Sequence, residues 1–296
     1  MRQGISAPQN HRAGFAVLLS LCLLWPTVWA ADTRLSSAPN SPPPAQQSLP
    51  ATNNPLQRIV LIGASGTAGF TESEPLGGTN TDLLRLSRYL DAALVAPHEP
   101  VQSFAIALFF LRPEVLGPGE VERARQVKPT LIIGTDFLFW YCYGVVPSEE
   151  ARLERFESGL NLLATVTCPL VLGDLPDASA AVNGMLSPAQ MPKPATLAAA
   201  NRRLSAWAAP RPNVRLIRLA NFMRDSLANN EVVIQGRIWP KETTRNLIQA
   251  DKLHASREGC AVIALSIMDA LTTSPTLLPV ESVRWDPAEV LRLAIH

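Results

Sequence analysis

Between residues 56 and 272, short apolar runs alternate with longer stretches in which apolar residues recur every three or four positions. These two periods predict β-strands and amphipathic helices in turn. Strands are expected at Arg58–Ile62, Phe104–Phe110, Thr130–Ile133, Pro169–Leu172 and Val214–Leu219. Helices are expected at Thr81–Ala93, Gly119–Val127, Ser148–Val166, Ala195–Ala208 and Arg257–Leu271. The strand runs are almost uninterrupted by polar residues, the pattern of strands covered on both faces. Alternation of this kind predicts an α/β fold with a mainly parallel sheet and helices on both sides. The stretch from Asn221 to Thr244 is the least regular part, and no internal repeat is present.

The ends of the chain read differently. Arg2 and Arg12 precede the apolar run Gly14 to Trp25, which leads into Thr27-Val28-Trp29-Ala30-Ala31. Basic, hydrophobic and small-residue regions in that order predict a secretory signal peptide over 1–30, cleaved after Ala30. A membrane anchor is the competing reading, but Pro26 interrupts a run already short of the roughly 20 residues that a span requires. Export to the periplasm or the exterior is therefore expected, with no stable membrane span once the leader is removed. Cys22 lacks the small residue before it that lipoprotein processing needs. Residues 31–55 are Ser, Pro, Asn, Gln and Ala, including Ser41-Pro42-Pro43-Pro44, too poor in large apolar groups to build a core and read as a disordered linker. One catalytic domain is expected over 56–274, followed by a C-terminal extension over 275–296.

With 47% hydrophobic residues in 296, the chain can bury a sizeable core. Loss of the leader removes two of the 26 basic residues and none of the 25 acidic ones, leaving a formal charge of −1 and no basic footprint for nucleic acid. Cys142, Cys168 and Cys260 remain after that cleavage, an odd number that permits at most one internal bridge. Their spacing matches no zinc cluster, and Cys142 amid aromatic residues and Cys168 beside a strand read as small buried hydrophobes. No metal and no cofactor is expected, and nothing in the sequence indicates an oligomeric state.

Against this background the candidate chemistry collects at strand ends. The first strand runs into Gly63-Ala64-Ser65-Gly66, and Asp251-Lys252-Leu253-His254 precedes the last long helix. A serine hydroxyl becomes a useful nucleophile when an imidazole takes its proton and a carboxylate orients that imidazole. Ser65, His254 and Asp251 can supply these roles. Of the four histidines, His11 lies in the leader, His98 in a Pro-flanked loop and His296 at the last position. Taken alone, Gly63 to Gly66 is also an ordinary turn, and Ser256 with Glu258 reads as a helix cap. The G-x-S-x-G elbow is not met, because Thr67 stands two residues after Ser65.

The apolar strand ending in Gly-Ala-Ser, the strand ending in Gly134-Thr135-Asp136 and Asp251-x-Leu253-His254 before a helix come in the order found in the GDSL or SGNH hydrolases, which the chain resembles over about Arg58 to Thr272. The resemblance implies a flavodoxin-like three-layer α/β/α sandwich. It also implies an esterase without cofactor, in which Ser65 is the nucleophile, His254 the base and Asp251 its orienting partner. Small acyl esters, including acetyl groups on glycans, are the substrates it implies.

Three departures from the family pattern are present, of which Ala64 lies outside the catalytic set while Asp136 and the second-block glycine affect the oxyanion site. Ala64 replaces the family's first-block aspartate, and Gly134-Thr135-Asp136-Phe137 puts Asp136 where an asparagine amide usually donates to the oxyanion. A carboxylate about 4 Å from that charge would oppose it by about 4 kcal/mol at an effective dielectric near 20. Asp136 then acts as a protonated donor, or the loop is one residue shorter and Asp136 matches the aspartate that ends the block. The second-block glycine has no clear counterpart; Gly117 and Gly119 are candidates, and the backbone N–H of Ser65 is the other donor. Phe137 to Tyr143 is the densest aromatic cluster and either lines an acyl pocket or packs beneath the following helix. Asp174 and Asp177 follow the fourth strand, where a cap is the simpler role for Asp177. The competing readings are a binding protein that keeps the fold without turnover and a nucleotide-binding domain. The second is disfavoured because neither G-x-G-x-x-G nor a P-loop follows the first strand.

Overall fold

Five parallel strands stand in the order β2-β1-β3-β4-β5: β1 (Ile59–Leu61), β2 (Gln102–Ser103), β3 (Leu131–Gly134), β4 (Leu170–Gly173) and β5 (Val214–Ile217). They belong to a computed structural model that describes residues 54–234, 236–273 and 277–296. The expected signal peptide, nearly all of the linker and the boundary at 274–276 lie outside the described residues.

The strands explain the near-continuous apolar runs. Ile59, Leu61, Leu131, Ile133, Val171 and Ile217 enter one hydrophobic core, while Val60, Ile62, Ile132, Leu170, Leu172 and Val214 enter a second. Successive side chains point to opposite faces, so each strand feeds both cores. Helices Leu86–Ala93, Arg257–Thr272 and Pro287–Ile295 cover the first face through residues such as Tyr89, Leu265 and Val290. Helices Pro113–Gln126, Glu149–Leu163 and Pro194–Ala208 cover the other through Val121, Phe156 and Leu204. The result is the expected three-layer α/β/α sandwich.

Register fixes where the site can lie. Leu61 pairs with Ser103 on one side and Ile133 on the other, so β1 and β3 end at the same edge. Chain order reverses between them, which opens a crevice at the carboxyl ends of these two strands. Gly63 to Gly66 and Thr135-Asp136 emerge there.

Several expected elements differ. Phe104–Phe110 is not a strand: β2 stops at Ser103, and Ala107–Leu111 winds into a 3₁₀ turn that buries Phe109 and leaves Leu108, Phe110 and Leu111 partly exposed. Phe104 and Ile106 still donate backbone hydrogen bonds to Leu61 and Gly63, so the chain follows β1 before it turns. The helix expected at Gly119 begins at Pro113, a residue suited to a first helical position, and continues through Pro118. The expected helix Thr81–Ala93 is broken into Thr79–Asp82 and Leu86–Ala93, with extended backbone at Arg85.

The region without a clear period holds a helix and a hairpin. Leu219, assigned to a strand end by the sequence reading, starts the helix Leu219–Leu227, followed by the antiparallel pair Val232–Ile234 and Arg237–Trp239. At the C-terminus, Arg284 N–H donates to Ala93 O at 2.7 Å and Val95 N–H to Ser282 O at 2.8 Å. Val290 and Ala294 are buried in the first core. The segment beyond 276 is therefore packed as part of the same domain. No helix among the described residues is long and apolar enough to cross a membrane.

Candidate active site

The loop before helix Arg257–Thr272 is built around the side chain of Asp251. Its Oδ1 accepts the backbone N–H groups of Leu253 at 2.9 Å and His254 at 3.0 Å, a local turn that competes with helix and brings residue 254 back over residue 251. Lys252 takes the left-handed conformation that this turn requires, with φ +61°. Its other oxygen, Oδ2, lies 2.7 Å from His254 Nδ1. Ile248 bridges Ala255 across the base of the loop, and Ser256 then caps the helix by accepting Gly259 N–H at 3.1 Å. Both Asp251 and His254 are buried. Burial pushes the Asp251 carboxyl up, but the hydrogen bond to His254, the imidazole's charge and the two backbone donors together bring it below the ordinary aspartate value.

His254 Nε2 is 2.9 Å from Ser65 Oγ, joining residues 189 apart in sequence. Ser65 opens a single helical turn, Ser65–Ala68, directly after β1. The N–H groups at the start of such a turn have no acceptor within it. Those of Ser65 and Gly66 find none among the described residues. They are the donors that an oxyanion forming at Ser65 would meet.

Asp136 does not occupy a donor position. Its Oδ1 accepts Ala64 N–H at 3.0 Å and the Thr67 hydroxyl at 2.6 Å, and its Oδ2 accepts Thr67 N–H at 3.2 Å. Three donors converge on the two oxygens, the arrangement of an acceptor and not of a protonated acid presented to substrate. Glycine permits the approach: a Cβ at Gly63, whose φ is +146°, would stand 2.2 Å from Asp136 Oδ1, and one at Gly66 would stand 2.9 Å from Oδ2. Asp136 thus supports the turn that carries Ser65 from beneath, by accepting from Ala64 and Thr67. Thr135 lines the cavity, and its hydroxyl is buried without a hydrogen-bond partner.

Ser65 and His254 open onto a cavity that is partly open to solvent and lined mainly by apolar side chains. Leu86, Phe222, Met223, Ile248 and Ile263 form one wall, and Phe139, Trp140 and Pro176 another. The aromatic cluster thus serves both expected purposes: Phe139 and Trp140 face the cavity, while Phe137, Tyr141 and Tyr143 are fully buried in the second core. Gly117 and Gly119 do not line this cavity. Both lie in the helix Pro113–Gln126, where Gly117 admits the Tyr141 hydroxyl, 2.2 Å from where a Cβ would be, and Gly119 is exposed. Asp174 accepts Ala220 N–H at 2.7 Å and Asp177 accepts Ser179 N–H at 2.9 Å, so both act as caps.

Sequence reasoning missed Phe70, which stacks on the His254 ring, and Glu120, whose Oε2 accepts Gly63 N–H at 2.7 Å. No local signal marks either. Phe222 and Met223 did carry one, since Leu219, Phe222, Met223 and Leu227 have helical apolar spacing. Burial pushes the thiols of Cys142 and Cys260 up to about 12 and that of Cys168 to about 11, so none is a competing nucleophile near neutrality. Among the described residues, no group of three or more metal-ligating side chains converges.

No family model and no curated protein sequence matches the chain. Among solved structures, a lipase/acylhydrolase from Enterococcus faecalis is 18% identical and superposes over 75% of this chain and 98% of its own, with a TM-score of 0.51. A member of the lipolytic protein G-D-S-L family from Veillonella parvula is 12% identical over 74% of this chain and 100% of its own, at 0.46. An acetylxylan esterase from Geobacillus stearothermophilus is 16% identical over 72% and 92%, at 0.44. A parallel sheet in the order 2-1-3-4-5, helices on both faces and the match to the Enterococcus structure identify the fold of this chain as that of the GDSL/SGNH hydrolases.

Proposed function

We propose that the protein is a serine hydrolase that cleaves carboxylic esters through a covalent acyl-enzyme. The observation that carries this reading is the unbroken hydrogen-bond chain Asp251–His254–Ser65 at the mouth of an apolar cavity. Ser65 Oγ attacks the acyl carbon while its proton passes to His254 Nε2, and Asp251 stabilises the imidazolium through Nδ1. The oxyanion meets the N–H groups of Ser65 and Gly66. His254 then protonates the departing alcohol, and a water activated by the same imidazole releases the acid and restores Ser65. No step needs a metal or cofactor.

The cavity favours an apolar acyl group. Leu86, Phe222, Met223 and Ile263 offer a glycan no hydrogen-bond partners, whereas each methylene placed among them gains about 0.8 kcal/mol. Acetyl esters, including those on glycans, are accepted as the shortest members of the same class, with the alcohol left outside. Export, read from the leader, places the substrate in the periplasm or outside the cell.

The deciding experiment is hydrolysis of p-nitrophenyl acetate, butyrate and octanoate by the purified protein and by Ser65→Ala, together with labelling by a fluorophosphonate. Turnover and labelling should both vanish in the variant. Labelling that persists moves the nucleophile elsewhere, and a wild-type protein that neither turns over nor labels overturns the reading.

A further inference from the structure

The turn that carries Ser65 is held from below by two carboxyl groups, only one of which lies on a strand end. Asp136 takes the N–H groups of Ala64 and Thr67, and Glu120, from the middle of the helix Pro113–Gln126, takes that of Gly63. Glu120 is fully buried, and its second oxygen, Oε1, has no hydrogen-bond partner. A buried charge is stabilised by a cation or by several donors; Glu120 accepts one N–H at hydrogen-bond distance, that of Gly63, and the Arg123 charge and the Ile106 N–H add smaller favourable effects that do not offset its burial. The groups facing it are Asp136, Tyr141 and Arg123. The Tyr141 hydroxyl is spent on Pro113 O at 3.0 Å. Arg123, one turn along the same helix, directs its guanidinium to Gly119 O and Phe104 O and lies over the Phe104 ring. That leaves Asp136 as the charged neighbour across the turn, and it is of like sign.

We propose that Glu120 is a positioning residue for the nucleophile: held as a neutral acid, it forms with Asp136 a carboxyl–carboxylate clamp that sets Ser65 against His254, and its ionisation releases the clamp. The inference rests on the serine-hydrolase reading for its effect on turnover. One acid and one carboxylate can share the space under the turn, whereas two carboxylates repel. Burial first, and then the charge of Asp136, raises the Glu120 carboxyl to about 9 against the lowering effects of the Gly63 hydrogen bond, the Arg123 charge and the Ile106 N–H. The native state thus keeps a proton that the unfolded chain gives up near the ordinary glutamate value. Stability that is complete below that value is lost as pH rises toward about 9. Above it, the turn loses its fixed position. A displacement of about 1 Å at a reacting atom costs on the order of 100-fold in rate.

Glu120→Gln keeps an acceptor for Gly63 N–H and cannot ionise; Glu120→Ala removes the acceptor. Denaturant unfolding of the wild type and Glu120→Gln between pH 5 and 9 reads the proton without reference to activity. The wild-type unfolding constant should climb relative to that of the variant by up to about tenfold per pH unit. A ratio that stays flat overturns the neutral acid. Ester turnover, with Ser65→Ala as background, reads the clamp. The wild-type kcat should fall above about pH 9 with KM unmoved, Glu120→Gln should hold its plateau, and Glu120→Ala should lose about 100-fold in kcat at neutral pH. An alkaline fall that Glu120→Gln shares equally overturns the positioning role. Absence of wild-type turnover at every pH counts against the hydrolase reading instead, and the unfolding series still decides the state of Glu120.

Discussion

The ring of Phe70 stacks on the imidazole of His254, with centroids 4.2 Å apart and planes 26° from parallel. Gln249 joins the two segments, its side-chain amide donating to Phe70 O at 2.9 Å and to Ala255 O at 2.8 Å. The residue five places after Ser65 thus packs on the face of the His254 ring. Asp251 holds one edge of the imidazole and Phe70 one face, so the ring has little freedom to turn away from Ser65.

Replacing Phe70 with Ala should free that face. An aromatic pair contributes about 0.5–1.5 kcal/mol beyond its buried area, and about 1.4 kcal/mol is tenfold in rate. The expected result is a drop of roughly tenfold in kcat with Asp251 and Ser65 unchanged, measured on p-nitrophenyl butyrate. An unaltered kcat would show that Asp251 alone suffices to orient the ring.

Asp251→Asn preserves an oxygen for the N–H groups of Leu253 and His254 but puts an amide NH₂ against Nδ1, which selects the wrong imidazole tautomer. A fall of about 10⁴-fold in kcat is expected with little change in thermal midpoint. The carboxyl of Asp251 is lower in the folded protein than in the unfolded chain. Its contribution to stability is therefore present above the ordinary aspartate value and lost as pH falls through the folded one. Below about pH 4 the wild type should lose stability more steeply than the variant, as urea unfolding would record.

Asp136→Asn separates the two roles considered for this residue. A carboxylate in the oxyanion hole would make the substitution accelerate turnover. With the observed hydrogen bonds, the new NH₂ instead opposes an N–H of Ala64 or Thr67, at a cost of about 1–3 kcal/mol for a buried donor left unpaired. Both stability and kcat should fall, and a faster variant would restore the direct oxyanion role.

Chain-length preference tests the cavity. Methylenes buried among Leu86, Phe222 and Ile263 should raise kcat/KM by up to about fourfold each, from about 0.8 kcal/mol apiece, until the space is filled. Ile263→Trp should depress octanoate hydrolysis by an order of magnitude or more while leaving acetate within about twofold, because overpacking acts only where the longer chain reaches. Equal losses on all three esters would place the acyl group outside this cavity.

Sequence by itself determined what depends on near neighbours. Alternation of apolar runs and amphipathic stretches set the layered fold, because burial on both faces demands continuous apolar strands. The cap at Ser256 and the closeness of Asp251 to His254 are products of three-residue spacings. Tertiary structure decided what depends on distant segments meeting. It carried His254 to Ser65 across 189 residues and turned Asp136 toward the N–H groups of Ala64 and Thr67 beneath the Ser65 turn. It also placed Glu120 against Gly63 and used Gly117 to admit Tyr141. The apolar period of residues 219–227 was present in the sequence, but only the fold brought Phe222 and Met223 to the same cavity as Phe139, Trp140 and Ile263. Local chemistry is written in short spacings; the direction a carboxylate faces is set by the donors that folding brings to it.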